Sequence, residues 1–252
     1  MSTTDAAWEK LFTEHEILSQ VEHDGFFKIS AAQIENFSEP QLMTKFDHKV
    51  NLPKIFSSNE LSILPVTRDD YLISHFEAWH NFEPTNSPVI QETLPEHLQS
   101  LTPDNIVNEK IALNCALASG IIADFTGDEN IFPTAARRMS SDTFDFKVND
   151  TRRNFAHTVH VDNLQIEFGT VLEGIKFLSL IEATLDSSDD FLIQRLYYPY
   201  RALQNKVGKP IKPIVLVCAN GIFYLREYAF TETENYNSLV LVQQKKYAVN
   251  LR

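Results

Sequence analysis

The stretch LQIEFGTVLEGIKFLSLIEAT, residues 164–184, decides the fold. Its two apolar segments, LQIEFGTVLEG and KFLSLIEAT, have the length and residue types of β-strands. Gly174 and Ile175 separate the segments, so the stretch predicts a β-hairpin with its turn at these two residues. A turn centred there sets Glu167 on the first strand opposite Glu182 on the second.

Two facing carboxylates at the end of a hairpin have a chemical use. Partners across a strand pair have Cβ atoms about 5 Å apart, and carboxylates that close repel unless a cation or a proton lies between them. Hard cations such as Mg²⁺ bind carboxylate oxygens. Glu182 and Glu167 are therefore the candidate metal ligands, with Glu173 and Asp162 as alternatives for the first ligand. The competing interpretation is a solvated strand face.

The segments around this hairpin predict an α/β protein. Apolar spacing favours amphipathic helices over 5–21 and 102–127, the second with Thr102 as its N-cap, and a further helix over DDFLIQRLYYPYRALQNKVG, residues 189–208. PIVLVCA, residues 213–219, is typical of a strand buried inside a sheet. Together these elements predict a mixed β-sheet flanked by helices.

A segment rich in Pro, Thr, Ser and Asn suggests a division of the chain. Residues 84–104, PTNSPVIQETLPEHLQSLTPD, are the best candidate for a junction. We therefore expect an N-terminal accessory region over 1–90 and the main core over 91–252.

Composition limits the function classes. The net charge of −12 argues against nucleic-acid binding on average, although one basic cleft is sufficient for it. Neither an apolar run that could cross a bilayer nor a signal peptide is evident, so a cytoplasmic protein with no membrane partner is expected. Cys115 and Cys218 match no metal spacing and are expected to be buried thiols.

The hairpin and the helix after it resemble a known superfamily. LIEAT, preceded by a strand that carries an acid, is similar to the acid-then-E-x-K hairpin of PD-(D/E)xK nucleases, and Gln194 with Tyr198 repeats a Q-x-x-x-Y pattern of several of its branches. Other stretches resemble a subset of type II restriction endonucleases: LMTKFDHKVNLPKIF, LSILPVTRDDYLI, ALASGIIADFTG, LQIEFGTVLEG, IQRLYYPYRAL and KPIVLVCANGIFYLREYAF.

The resemblance implies a site-specific, Mg²⁺-dependent endonuclease that cleaves double-stranded DNA as a homodimer on a PD-(D/E)xK core. It implies Glu167 and Glu182 as catalytic metal ligands, with Gln194 beside them. Thr184 stands where the family has a catalytic lysine, so three alternatives are open: an active endonuclease that tolerates the change, an impaired endonuclease, or a DNA-binding protein that does not cut. Glu109, on the preceding helix, is a further acid that such enzymes often use.

Basic clusters in an otherwise acidic chain are the candidate DNA contacts. They lie in MTKFDHK and AARRMSS, and Tyr198 is added from the Q-x-x-x-Y helix. Lys and Arg suit phosphates and guanine edges. The candidate residues are Lys45, His48, Lys49, Arg137, Arg138 and Tyr198.

Overall fold

The computed structural model describes residues 3–134, 138–167 and 169–250. Its α-helices in these ranges are α1 Thr3–Glu14, α2 Ile17–Asp24, α3 Ala31–Glu35, α4 Pro40–Thr44, α5 Lys54–Ser58, α6 Glu109–Ala118, α7 Ile121–Thr126 and α8 Gln194–Leu203. Short 3₁₀ turns span Lys49–Asn51 and Pro103–Asn105.

The strands outnumber the helices. They are β1 Phe27–Ser30, β2 Ser62–Pro65, β3 Asp70–Ser74, β4 Trp79–Asn81, β5 Val89–Thr93, β6 Phe132–Pro133, β7 Arg138–Ser140, β8 Phe144–Asn149, β9 Ala156–Val161, β10 Gln165–Glu167, β11 Thr170–Glu173, β12 Leu178–Thr184, β13 Asp190–Leu192, β14 Ile211–Ala219, β15 Ile222–Phe230 and β16 Leu239–Asn250.

A seven-stranded mixed sheet forms the centre, in the order β5-β16-β15-β14-β12-β11-β6. Strand β14 runs parallel to β12 and antiparallel to β15, and β5 runs parallel to β16. The predicted mixed sheet flanked by helices is therefore confirmed at the level of an α/β fold.

The central strand β14 is buried on both faces because its alternate side chains enter two different apolar clusters. Ile214 and Leu216 pack with α6 and α7 on one face. Val215 and Val217 pack with α8 on the other. In β12, Leu180 shares the α8 face, so period-two alternation brings Glu182 and Thr184 to that same face.

The N-terminal region packs onto the α8 face. An antiparallel sheet of order β1-β3-β2 and helices α1 to α5 contribute side chains such as Trp8 and Phe56 to the same cluster as Leu196 of α8. The boundary expected between residues 90 and 91 falls inside β5, which is an edge strand of the central sheet.

Two predicted helices are each divided. The helix expected over 5–21 is interrupted at Glu16, which adopts a φ of 50° between α1 and α2. The helix expected over 102–127 begins later, with Asn108 as its N-cap, because the Asn108 side chain accepts the Ile111 amide; Thr102 makes no such bond. Gly120, at a φ of 85°, then separates α6 from α7.

The predicted hairpin exists, but its register is different. Thr170 pairs with Ile181 and Glu173 with Leu178, so a continued ladder would set Gly169, and not Glu167, beside Glu182. The expected facing of Glu167 and Glu182 across the hairpin is therefore wrong. Glu167 belongs to β10, which pairs with β7. The physical reason is a turn centred one residue later than expected, on Ile175 and Lys176, with the Gly174 amide donating to the Phe177 carbonyl.

Both cysteines are free and buried, as predicted. Burial raises the pKa of the Cys115 and Cys218 thiols to about 11, so both stay protonated at neutral pH. In the described ranges, no helix has the length and apolarity needed to cross a membrane.

Candidate active site

A cavity of about 590 Å³ opens at the carboxyl end of β12 and brings several of the predicted residues together. Glu182 and Thr184 reach it from β12, Glu109 from the first turn of α6, and Glu167 from β10. The two glutamates that failed to pair across the hairpin therefore still line one cavity.

Glu182 is the most perturbed acid of this cavity. Its side chain is 26% exposed. Burial raises the pKa of this carboxyl to about 7, with nearby Arg195 opposing the rise and the charges of Asp47, Glu109 and Glu167 adding to it. Glu182 lies among other acids, and the cation Arg195 is 4.0 Å from it. The electrostatics of this position therefore favour binding of an additional positive charge.

Arg195 is a residue of this cavity that the sequence reasoning missed. Its Nε lies 4.0 Å from Oε1 of Glu182, and its Nη2 donates to Oδ1 of Asp47 at 2.6 Å. It directly follows Gln194 at the start of α8, and Asp47 lies inside the quoted MTKFDHK cluster. The sequence does indicate Arg195, because it lies three residues before Tyr198, on the helix expected to face the site.

Glu167 is held by two cations. Lys45 Nζ donates to its Oε2 at 2.9 Å, and Arg138 Nη2 lies 2.7 Å from its Oε1. The hydrogen bond from Lys45, followed by the charges of Lys45 and Arg138, keeps the pKa of Glu167 below its ordinary value despite partial burial. In this arrangement Glu167 is a charged acid with both oxygens engaged.

A second cavity of about 200 Å³ adjoins the first and carries more basic side chains. Lys45, Arg68, Arg138 and Arg195 line it, and Gln194 reaches it from the start of α8. Asp47, Glu167, Arg138 and Arg195 border both cavities. We call the 590 Å³ cavity the acidic cavity and the 200 Å³ cavity the basic cavity. The two cavities share side chains where they meet.

Thr184 is engaged in a local turn. Its Oγ1 accepts a hydrogen bond from the Asp186 amide at 3.0 Å, while the side chain borders the acidic cavity. The hydroxyl brings no charge to the position where the resemblance expects a lysine.

His48 borders the acidic cavity but is buried. Its Nδ1 donates to the Asp190 carbonyl oxygen at 2.7 Å, and its Nε2 lies 3.7 Å from Oδ2 of Asp186. This side chain holds the segment after α4 against β13, and its contact with DNA stays a prediction.

Tyr198 borders the basic cavity but is almost fully buried, and its contact with DNA stays a prediction. The side chain is 1% exposed, its ring packs against Phe144 and Phe146, and its hydroxyl donates to the Pro65 carbonyl at 3.0 Å. The aromatic residues of α8 face the core because the central sheet must be covered on that side.

The remaining candidates lie elsewhere. Asp162 accepts a hydrogen bond from Thr143, and Glu173 binds Lys209 at 2.7 Å near the hairpin turn; neither borders the acidic cavity. Lys49 is exposed and borders a different cavity, beside Trp79. Arg137 lies outside the described residues.

The acidic cavity suits a hydrated cation better than a fully liganded one. No group of three or more His, Cys, Asp or Glu side chains among the described residues is arranged as a metal site. Mg²⁺ commonly keeps several waters and binds proteins through one or two carboxylates. Glu182 and Glu167 both border the cavity and are the residues that could hold such an ion.

Two family models cover most of the chain. One, described as a domain of unknown function (DUF6996), matches residues 5–73, and another, described as a domain of unknown function (DUF6997), matches residues 74–248. Neither the curated proteins nor the solved structures contain a match. The second model covers more than half of the chain, and the protein therefore belongs to the DUF6997 family.

Proposed function

We propose that this protein is a Mg²⁺-dependent, site-specific endonuclease of the type II restriction kind that acts on double-stranded DNA through a PD-(D/E)xK core. The observation that carries the proposal is the cavity at the end of β12. It gathers Glu182 from β12, Glu167 from β10 and Glu109 from α6 at the carboxyl end of β12, and a basic cavity adjoins it.

The acidic and the basic side chains have separate roles. Glu182 and Glu167 hold Mg²⁺, which when bound lowers the pKa of a water and polarises a phosphodiester. Glu109, from the first turn of α6, adds negative potential to the cavity. Lys45, Arg68 and Arg138 neutralise the DNA backbone, since phosphate binding depends on such cations.

Arg195 and Gln194 act at the start of α8. Arg195 supplies a positive charge within 4.0 Å of Glu182, which limits the repulsion among the acids. Gln194 lines the basic cavity, where its amide can donate to a phosphate oxygen.

A second candidate function is DNA binding without cleavage. The observation that favours it is Thr184, which is uncharged and already accepts the Asp186 amide. For either function we propose a homodimer, because a two-fold protein matches a palindromic DNA site.

The test is a nuclease assay on supercoiled plasmid and on genomic DNA with Mg²⁺, performed on the wild-type protein and on Glu182→Ala. Metal-dependent cleavage that gives discrete fragments and is absent in Glu182→Ala supports the endonuclease. DNA binding at low salt with Ca²⁺, without cleavage, supports the binding protein. A protein that neither binds nor cuts DNA contradicts both.

A further inference from the structure

Glu167 is unusual among the acids of the site because it is held as an anion between two cations from distant parts of the chain. Lys45 comes from the loop after α4 and Arg138 from β7, and each takes a different carboxylate oxygen, at 2.9 and 2.7 Å. Both basic side chains remain about half exposed, at 47% and 58%. They are accessible to a ligand on the side away from Glu167.

Two cations that bind separate oxygens of one anion would also suit a phosphate group. A phosphate group presents two or more anionic oxygens to a fork of Arg and Lys donors, as the Glu167 carboxylate does here. Arg68 lines the same basic cavity and forms no ion pair within the part of the chain that is described. A third cation is therefore placed beside the pair without a carboxylate of its own.

The Glu167 side chain can also reach a second cavity. It borders the acidic cavity of Glu182 as well as the basic cavity, so rotation of one side chain can transfer its charge from one cavity to the other. A divalent cation beside Glu182 would attract Glu167 and compete with Lys45 and Arg138 for it.

We propose that Glu167 occupies a phosphate-binding site formed by Lys45, Arg138 and Arg68, and that a divalent cation beside Glu182 draws Glu167 away and opens this site to the DNA backbone. The inference rests on the proposed function, in that it assigns the metal and the phosphate to neighbouring cavities. Because one side chain serves both, metal and phosphodiester must bind cooperatively, each increasing the affinity for the other.

The test measures binding of a fluorescein-labelled 12-nucleotide oligothymidylate by anisotropy, with and without Ca²⁺, and does not depend on cleavage. The wild-type protein should bind the probe several-fold more tightly with Ca²⁺. Glu167→Gln should bind it about 3- to 10-fold more tightly than wild type without metal, because each exposed ion pair changes an equilibrium by a factor of a few. The dependence on Ca²⁺ should then largely disappear.

Glu173→Gln is the matched control. It removes the same charge from a glutamate that pairs with one lysine, Lys209, outside both cavities. Adding Lys45→Gln or Arg138→Gln to Glu167→Gln should reverse the gain. With each of these cations removed, the protein neutralises one phosphate fewer, so the log–log salt dependence should become shallower by about 0.7 on a single strand.

Equal probe affinity of Glu167→Gln and Glu173→Gln, or no binding of the probe by either, overturns the inference. A wild-type protein that cuts DNA while these two variants bind alike keeps the proposed function and removes the phosphate switch. Cooperative binding that depends on Glu167 in a protein that never cuts keeps the switch and removes the endonuclease.

Discussion

Gly169 and Glu182 approach so closely that no larger residue fits at position 169. A β-carbon on Gly169 would lie 2.5 Å from Oε2 of Glu182 and would overlap the Ile181 carbonyl oxygen. The close approach follows from the hairpin register, in which Gly169 continues the ladder beside Glu182. The absence of a side chain here leaves room for the carboxylate at the edge of the acidic cavity.

Gly169→Ala should therefore displace Glu182 and weaken divalent-cation binding. The backbone carbonyl cannot move as an end of a side chain can, so we also expect a loss of about 1–3 kcal/mol in the free energy of unfolding. Thermal melts with increasing Mg²⁺ measure both effects. Gly208→Ala is the control, because a β-carbon there meets nothing within 4 Å. If Gly169→Ala keeps the full Mg²⁺-dependent rise in melting temperature, the close approach does not matter for the site.

Glu182 should make the stability of the metal-free protein depend on pH. Its pKa is raised to about 7 in the folded protein and has the ordinary value of 4.5 when unfolded, so between these values the folded state holds a proton that the unfolded chain has released. The free energy of unfolding therefore falls as pH rises through this window.

Glu182→Gln removes that titration. Relative to wild type, the variant should gain stability between pH 5 and pH 8, because the amide has no charge to bury. Urea unfolding without divalent cations at the two pH values measures the difference. A difference between the two proteins that is the same at both pH values would show that the carboxyl is not perturbed by its surroundings.

Asp128 fixes the turn of the hairpin that carries Glu182. Its buried carboxylate accepts the Lys176 and Phe177 amides at 3.0 and 2.9 Å. Gly174 lies directly against this carboxylate, so a β-carbon at position 174 would overlap it. Asp128→Asn sets an NH₂ group against one of these donors, so we expect a loss of about 1–3 kcal/mol. Urea unfolding tests this, and an unchanged midpoint would show that the turn does not depend on the acid.

The sequence predicted the strands around Glu182 better than it predicted the contacts between elements. The continuous apolar run PIVLVCA correctly indicated a strand buried inside the sheet, and the LIEAT strand was found with Glu182 near its end. The hairpin register was missed because Asp128, far away in sequence, accepts the Lys176 and Phe177 amides and so stabilises a turn centred one residue later than the local residues indicate.

Tertiary contacts also explain what was missed in the site. Arg195 and Asp47 are 148 positions apart in the chain, and no local pattern joins them. Tyr198 was proposed as a DNA contact from the Q-x-x-x-Y helix, but α8 must cover the sheet, and the ring is buried. Gly120 divides a run whose apolar spacing alone predicts one helix, because spacing does not report a left-handed residue.

Thr184→Lys should increase DNA cleavage. Residue 184 lies two positions after Glu182, on the same face of β12, and borders the acidic cavity. A lysine there would aim a charge at the reacting phosphate, and one well-placed group of this kind is worth about 10²–10³ in rate. DNA affinity should change far less, because the charge acts mainly in the transition state.

Single-turnover cleavage and anisotropy on the same duplex separate the two effects of Thr184→Lys. Thr184→Met, which is similar in length but uncharged, is the control for removal of the hydroxyl that accepts the Asp186 amide. Equal cleavage by the lysine and methionine variants would assign no role to the charge. Rapid DNA cleavage by the wild-type protein would show that Thr184 does not impair catalysis.

Calorimetric titration of Mg²⁺ into the wild-type protein, Glu182→Ala and Glu173→Ala tests the central claim most directly, since both glutamates lie on the same hairpin but only Glu182 borders the acidic cavity. We expect wild type and Glu173→Ala to bind alike, and Glu182→Ala to bind about tenfold more weakly or not at all. Equal Mg²⁺ affinity in all three proteins would contradict the assignment of this cavity as the metal site of a nuclease.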